Sequence, residues 1–391
     1  MLLTIAKGIL SIFYHPLFYL FIGGLFLTGW QRVRRERRSF GIKVYGMFNS
    51  VLSSLLPSLC IGFLGSAALL ITGVSLPIGY VALVTLLYLI CMLMGQLRYL
   101  SPTLTIGWAT AIASFFPHLH TGVSVFDRWI QEIRSASLFD LCTFLAVVAL
   151  MEAFAVILWG SQQPSPRLIN SKRGKKVGAY EVNRFWIAPL FFLIPVSGAI
   201  HPIGWWPLAT GTVFGLGALP LGIGLQQLVT HTTPRQAVKK TGAWLLVTGI
   251  VLGAVACASY FFESVFLTVS AGAFAVFSRL ALVLWHFYQQ HAKPLFLVDR
   301  GNGLLVVGTI PNTPAAQMGI TTGEVVIKVN GLPVRSELDF YKGMQLNAAY
   351  CKLEVADRQG EVRFVKSMVH ENDLHDIGLL FLEPSRRVKG A

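Results

Sequence analysis

VYGMFNSVLSSLLPSLCIGFLGSAALLITGVSLPIGYVALVTLLYLICMLMGQL, residues 44–97, contains no Asp, Glu, Lys or Arg. It is long enough for two helices of about 20 apolar residues, the length that crosses the hydrocarbon of a bilayer. This stretch sets the class of the chain, a polytopic α-helical membrane protein. The rest of the sequence agrees, since 54% of its 391 residues are apolar and only 13% are charged, about half the charged share of a soluble domain. A simple cytosolic enzyme is excluded. A 12% aromatic share and 37 glycines without a fixed period exclude disorder and collagen-like repeats. The first 30 residues imitate a signal peptide, but Thr28-Gly29-Trp30 before an arginine cluster is a poor cleavage site, and the segment is expected to be retained.

Moving outward, the charge is unevenly placed. The net charge is +14, yet residues 293–391 hold 12 basic and 11 acidic residues, so nearly all of the excess belongs to the apolar part. Six of the Lys and Arg there lie between Arg32 and Lys43, six between Arg167 and Arg184, and three at Arg235, Lys239 and Lys240. By the positive-inside rule these three connections are expected in the cytoplasm, where anionic lipid headgroups are their simplest partners. Charge gathered in membrane-proximal connections does not make a nucleic-acid surface, and none is expected.

Nine apolar segments, at about 8–30, 49–73, 76–97, 103–123, 138–160, 185–201, 203–228, 241–262 and 264–288, satisfy this constraint, because an even number of crossings separates each pair of basic connections. The fold expected is therefore about 7–9 spans over residues 1–289. The weaker candidates are 103–123, with Pro117, His118 and His120, and 185–201, with Pro189 and Pro195. His15-Pro16 divides the first helix into an interfacial piece and a span. The Asp127 to Arg134 connection, of zero net charge, falls outside. Five cysteines without zinc spacing read as reduced packing residues.

After about residue 290 the apolar runs shorten to strand length. Leu304 to Ile310 reads as a strand, Pro311-Asn312-Thr313-Pro314 starts a short helix ending at Gly319, and Val325 to Val329 is a second strand closed by Asn330-Gly331. Ser336 and Asp339 have the spacing of a capping box for a helix to about Asn347, and three more strands follow, at Lys352 to Asp357, Val362 to Met368 and Ile377 to Leu382. GLLVVGTIPNTPAAQMGITTGEVVIKVNGLPV, residues 303–334, resembles a bacterial PDZ domain. The resemblance implies an α+β module over residues 290–384, followed by a basic tail at 385–391. It also implies a peptide-binding groove in which Gly303, Leu304 and Leu305 hold a carboxylate, Leu305, Val306, Val307 and Gly308 form the pairing edge, and Leu338 and Tyr341 stand on the opposite wall. An open strand edge offers unpaired amides and carbonyls that an extended peptide completes. The alternative is that the chain's own Phe296-Leu297-Val298 fills the groove.

Catalytic patterns are missing. There is no HExxH pentad, no GxSxG elbow and no GxxxxGK[ST] loop, and no cofactor or metal is expected. His118 and His120, two apart, do not share a helix face and read as interfacial groups. An unpaired charge at mid-bilayer costs about 2.5–3.5 kcal/mol, so Glu152 and Arg279, each central in its segment, are expected to pair; Glu152 with Asp140 would instead start a proton path. Gly211 with Gly215, and Gly249 with Gly253, fit GxxxG spacing, which serves close packing within the chain or a homo-oligomer.

Many spans, one C-terminal PDZ-like module and no catalytic motif resemble the MinJ family of cell-division topological determinants. HPLFY at residues 15–19, RVRRERRSF at 32–40 and IGLLFLEP at 377–384 add to the likeness. The resemblance implies a non-catalytic membrane adaptor, enriched at septum and cell poles, that joins a DivIVA-like curvature-seeking coiled-coil protein to the MinD ATPase. The other reading is a PDZ-bearing transporter, or a regulatory subunit of a membrane protease.

Overall fold

The computed structural model describes residues 2–115, 120–172, 174–195, 200, 206, 213–299, 301–347, 350–368 and 377–382. The chain opens with α1 (Leu2–Tyr14) and α2 (Pro16–Phe40), bent by 55° at His15. The break is chemical: Pro16 cannot continue α1, and the His15 ring accepts the Leu17 amide as an N-cap. There follow α3 (Met47–Thr72), α4 (Ile78–Leu93), α5 (Pro102–Ser114), α6 (Ser124–Arg134), α7 (Leu138–Trp159), α8 (Pro234–Phe262) and α9 (Val265–Ala292).

Among the described residues, α3, α7, α8 and α9 are long and apolar enough to cross a membrane, and the α1–α2 pair makes a fifth if it is one span. The helices α4 and α5, with 16 and 13 residues, extend only about 24 and 20 Å at 1.5 Å per residue. Of the segment at 103–123, residues 103–114 are helical; His118 lies outside the described residues, and His120 is exposed.

Two of the nine apolar segments form strands, not helices, among their described residues. After β1 (Ser165–Asn170), the strands β2 (Lys176–Ile194) and β3 (Gly215–Val229) form an antiparallel ribbon in the order β1-β2-β3, with Tyr180 opposite Val229 and Ile194 opposite Gly215. The expectation of spans at 185–201 and 203–228 is corrected to strands wherever those residues are described. Pro189 and Pro220 face each other in the register. A helix would lose a hydrogen bond at each, but here the flanking Ile187 and Phe191 amides point outward to α3, so a proline in the same phase costs the ladder nothing. Gly211 lies outside the described residues and Gly215 starts β3, so this GxxxG pair forms no helix face.

A sheet edge facing lipid would strand its polar groups; this ribbon sits inside the bundle. Ser54, Ser58, Gly62 and Ser66 share one face of α3. From that face the Ser58 hydroxyl accepts the Ile187 amide at 3.0 Å and the Ser66 hydroxyl accepts the Phe191 amide at 2.9 Å. Farther along, Leu193 exchanges backbone bonds with Val74 and Leu76. On the other side, the Gly224 amide donates to the Leu100 carbonyl at 2.7 Å, and the Tyr88 hydroxyl donates to the Gly222 carbonyl at 3.2 Å. Trp186, Leu190, Leu219 and Ile223 on one face are fully buried, and Phe185, Leu193 and Ala218 on the other are buried too, so both faces of the ribbon lie in the core.

The C-terminal part is rich in sheet: β4 (Leu304–Thr309), α10 (Pro314–Gln317), β5 (Val325–Val329), β6 (Leu332–Pro333), α11 (Glu337–Gln345), β7 (Tyr350–Ala356), β8 (Val362–Met368) and β9 (Leu379–Leu382). The strand order is β8-β7-β5-β4-β9, with β6 on β5. Asn330 and Gly331 take positive φ of 47° and 87°, the geometry of a tight hairpin turn. Leu304, Val306, Val326, Phe340, Leu353 and Phe381 belong to its separate core.

Candidate functional site

Alternation along β4 decides what this strand can bind. Leu304 and Val306 point into the core of the module, while Leu305 and Val307 join the other core with Tyr180 and Leu297 of the ribbon side. The Tyr180 hydroxyl donates to the Val307 carbonyl and meets the Thr322 hydroxyl. The backbone of β4 is also engaged on both sides: Leu304 and Leu305 oppose Val326 and Val325, and residues 305–309 oppose Leu382 to Leu379. Leu305 to Gly308 is therefore an interior strand, and the expectation that it forms an open edge is corrected. Gly303 takes φ +152° and backs onto the Val326 carbonyl, just before the ladder begins at Leu304.

Among the described residues the sheet ends in β8 on one side and β9 on the other, and β9 is the end beside α11. Beside it lies a cavity of about 240 Å³, lined by Glu337 and Tyr341 of α11, Ile377 to Phe381, and Phe40 and Ile42 from the end of α2. Tyr341 of the expected wall is in this lining, whereas Leu338 is 63% exposed and outside it. Gly378 takes φ +80° and abuts Thr313, a position that admits no side chain. The capping box at the start of α11 is formed: the Ser336 hydroxyl accepts the Asp339 amide at 3.1 Å, and the Asp339 carboxylate accepts the Ser336 amide at 3.0 Å. Donors facing the carboxylate, the Ser336 hydroxyl first and then the Arg335 and Ser336 amides, hold the Asp339 carboxyl below its ordinary range. Phe296 to Val298 does not fill this cavity; the Leu297 carbonyl accepts the Gly178 amide of β2 at 3.1 Å instead.

Part of the arginine-rich sequence is folded inward. Glu36, fully buried, accepts from Arg32 at 3.0 Å, Ser165 at 2.7 Å and the Val44 amide at 2.8 Å. Glu181 takes Arg35 at 3.2 Å and Arg167 at 3.1 Å, and Arg184 donates to Ser53 at 3.1 Å. Arg32, Arg35, Arg167 and Arg184 thus form a polar junction between α2, α3 and the ribbon. Sequence reasoning missed Glu36 and Glu181, the carboxylates that organise it; their signal was acidic residues isolated within basic runs.

Within the bundle, Arg279 lies 3.4 Å from Glu152. The Ser101 hydroxyl reaches both Glu152 oxygens, at 2.7 and 2.8 Å, and the Thr103 amide adds a bond of 3.2 Å. Glu152 is thereby held at the start of α5, where free amides favour an anion. Asp140 stands near the opposite end of α7, about 18 Å away along the axis, and the structure does not bring the two together. Gly249 packs on α7, where an added Cβ would meet Leu150 at 2.7 Å, while Gly253 has nothing within 4 Å. The five cysteines are free, and among the described residues no three His, Cys, Asp or Glu side chains gather as a metal site.

No family model and no solved structure matches the chain. It is 29% identical over 382 residues to the cell division topological determinant MinJ of Bacillus subtilis strain 168, covering 96% of this chain and 94% of the relative. It is 24% identical over 387 residues to the probable MinJ proteins of Lacticaseibacillus paracasei and of Lacticaseibacillus casei strain BD-II, covering 95% of this chain and 97% of each relative.

Proposed function

We propose that this chain, similar along nearly its whole length to MinJ cell-division topological determinants, is a member of that family and a non-catalytic membrane adaptor whose C-terminal module reads protein partners in the cytoplasm. Septum and cell poles are its sites of enrichment, and a DivIVA-like coiled-coil protein and a MinD-like ATPase are its partners. In this reading the α1–α2 pair, α3, α7, α8 and α9 cross the bilayer, while the shorter α4 and α5 enter and leave on one side. The ribbon returns to the side it left, so replacing a helical hairpin by a strand hairpin keeps every basic connection inside.

The observation that supports partner binding is the β9 edge facing α11 across a cavity. An extended segment adds there as a strand, with a side chain seated against Tyr341. This is the PDZ mode of recognition, moved from the β4 edge to the β9 edge.

The test is a fluorescent fusion of the full chain in dividing cells, beside one lacking residues 293–391 and one carrying Tyr341→Arg. Septal and polar enrichment of the intact chain is expected. Both variants should remain in the membrane but lose co-purification with at least one division protein. Uniform membrane fluorescence of the intact chain would reject the reading.

A further inference from the structure

The turn between β1 and β2, the end of α9 and the residues just after it enclose a cavity of about 750 Å³. Lys172, Lys175, Lys176, His291 and Lys293 line it, against one carboxylate, Asp299, which is already engaged with the Gly301 amide at 2.8 Å. Its remaining lining includes apolar Val177, Leu228 and Leu295. Ammonium groups beside an apolar wall suit a ligand that is anionic at one end and hydrocarbon at the other. A fully hydrated anion would gain nothing from that wall.

The depth of the cavity points the same way. Trp285 and Tyr288 of α9 stack with centroids 6.3 Å apart and are 52% and 65% exposed. Exposed Trp and Tyr near the end of a membrane-length helix mark the boundary between hydrocarbon and headgroups. His291, three residues beyond Tyr288, lies about 5 Å farther along the axis, at headgroup level. The alternative basic residues of the junction, Arg32, Arg35 and Arg167, are committed to Glu36 and Glu181.

We propose that this cavity is a binding site for the phosphate of an anionic phospholipid headgroup, with the acyl chains lying along α9 past Trp285. It would tie the β1–β2 turn, and through the ribbon the C-terminal module, to one leaflet.

The test uses the full chain in nanodiscs of phosphatidylcholine with or without phosphatidylglycerol, followed by native mass spectrometry of retained lipid. The Lys172→Gln/Lys175→Gln/Lys293→Gln variant is compared with Arg37→Gln/Arg38→Gln/Lys43→Gln, which removes equal charge from the end of α2 and the residues after it. Phosphatidylglycerol should be retained by the wild type and the α2 variant, and bound on the order of 100-fold more weakly by the cavity variant. Equal retention by all three would overturn the proposal. A thermal-shift arm with inorganic phosphate alone separates the sources: stabilisation by phosphate that phosphatidylglycerol does not reproduce would overturn the lipid assignment. Hydrogen exchange of wild-type residues 169–177 serves should the cavity variant misfold; slower exchange in phosphatidylglycerol supports the site, and no change refutes it.

Discussion

A Cβ added at Gly62 would sit 2.5 Å from the Pro189 carbonyl oxygen and 2.6 Å from its ring, so α3 and β2 touch backbone to backbone. Neither atom is at the end of a flexible side chain, and the contact cannot relax locally. Gly62→Ala is expected to destabilise the chain by about 1–3 kcal/mol through overpacking. Gly23→Ala, where nothing lies within 4 Å, should be neutral or slightly stabilising, because alanine favours helix. Thermal unfolding in one detergent compares the two.

The serines beside Gly62 make a separate prediction. Removing the hydroxyl of Ser58 or Ser66 leaves the Ile187 or Phe191 amide without its acceptor, at a cost of about 1–3 kcal/mol each. Ser58→Ala and Ser66→Ala should speed hydrogen exchange across residues 185–194. Ser270→Ala, whose hydroxyl bonds only its own helix, should not. Unchanged exchange in the first two would mean that α3 does not close the ribbon edge.

Glu152 and Arg279 should behave as one unit. Glu152→Gln or Arg279→Met alone strands a buried partner and is expected to lower stability by about 3–5 kcal/mol. The double variant should recover part of that loss in a double-mutant cycle, with coupling of about 0.5–3 kcal/mol. Additive losses would argue against the pair. A Glu152→Gln chain that assembles normally but loses a proton-coupled flux would establish a transport role instead.

The α11 cap should be lost in acid. The Asp339 carboxyl titrates below its ordinary range in the folded chain, so its contribution is complete above the unfolded value of 3.8. It disappears as pH falls through the lower folded value, since the unfolded state then takes up the proton first. Protection of residues 337–345 against hydrogen exchange, corrected for intrinsic rate, should therefore fall below about pH 4 in the wild type, and Asp339→Asn should flatten that dependence. Ser336→Ala should cost about 1 kcal/mol of helix stability at neutral pH.

The turn at Asn330-Gly331 and the cap at Ser336 and Asp339 were legible because each is decided by chemistry within four residues. The meeting of Glu152 with Arg279 follows from the cost of leaving either alone, although Ser101, an ordinary serine in sequence, carried no signal. The ribbon was hidden for a different reason. With both faces buried, β2 and β3 lose the alternation that betrays a strand, and an apolar run then reads equally well as a helix. Its remaining signs were Pro189 and Pro220 and the closely spaced Gly215, Gly217, Gly222 and Gly224. The interior place of β4 was not legible at all, because β9, which covers it, arrives some seventy residues later.

Phe40 and Ile42 help to wall the cavity beside β9, and the same α2 begins in the apolar bundle. On the proposed function, a segment that docks there lies close to the bilayer surface at which α2 ends. That reading sorts visitors by altitude, favouring proteins already resting on the lipid surface over those diffusing freely.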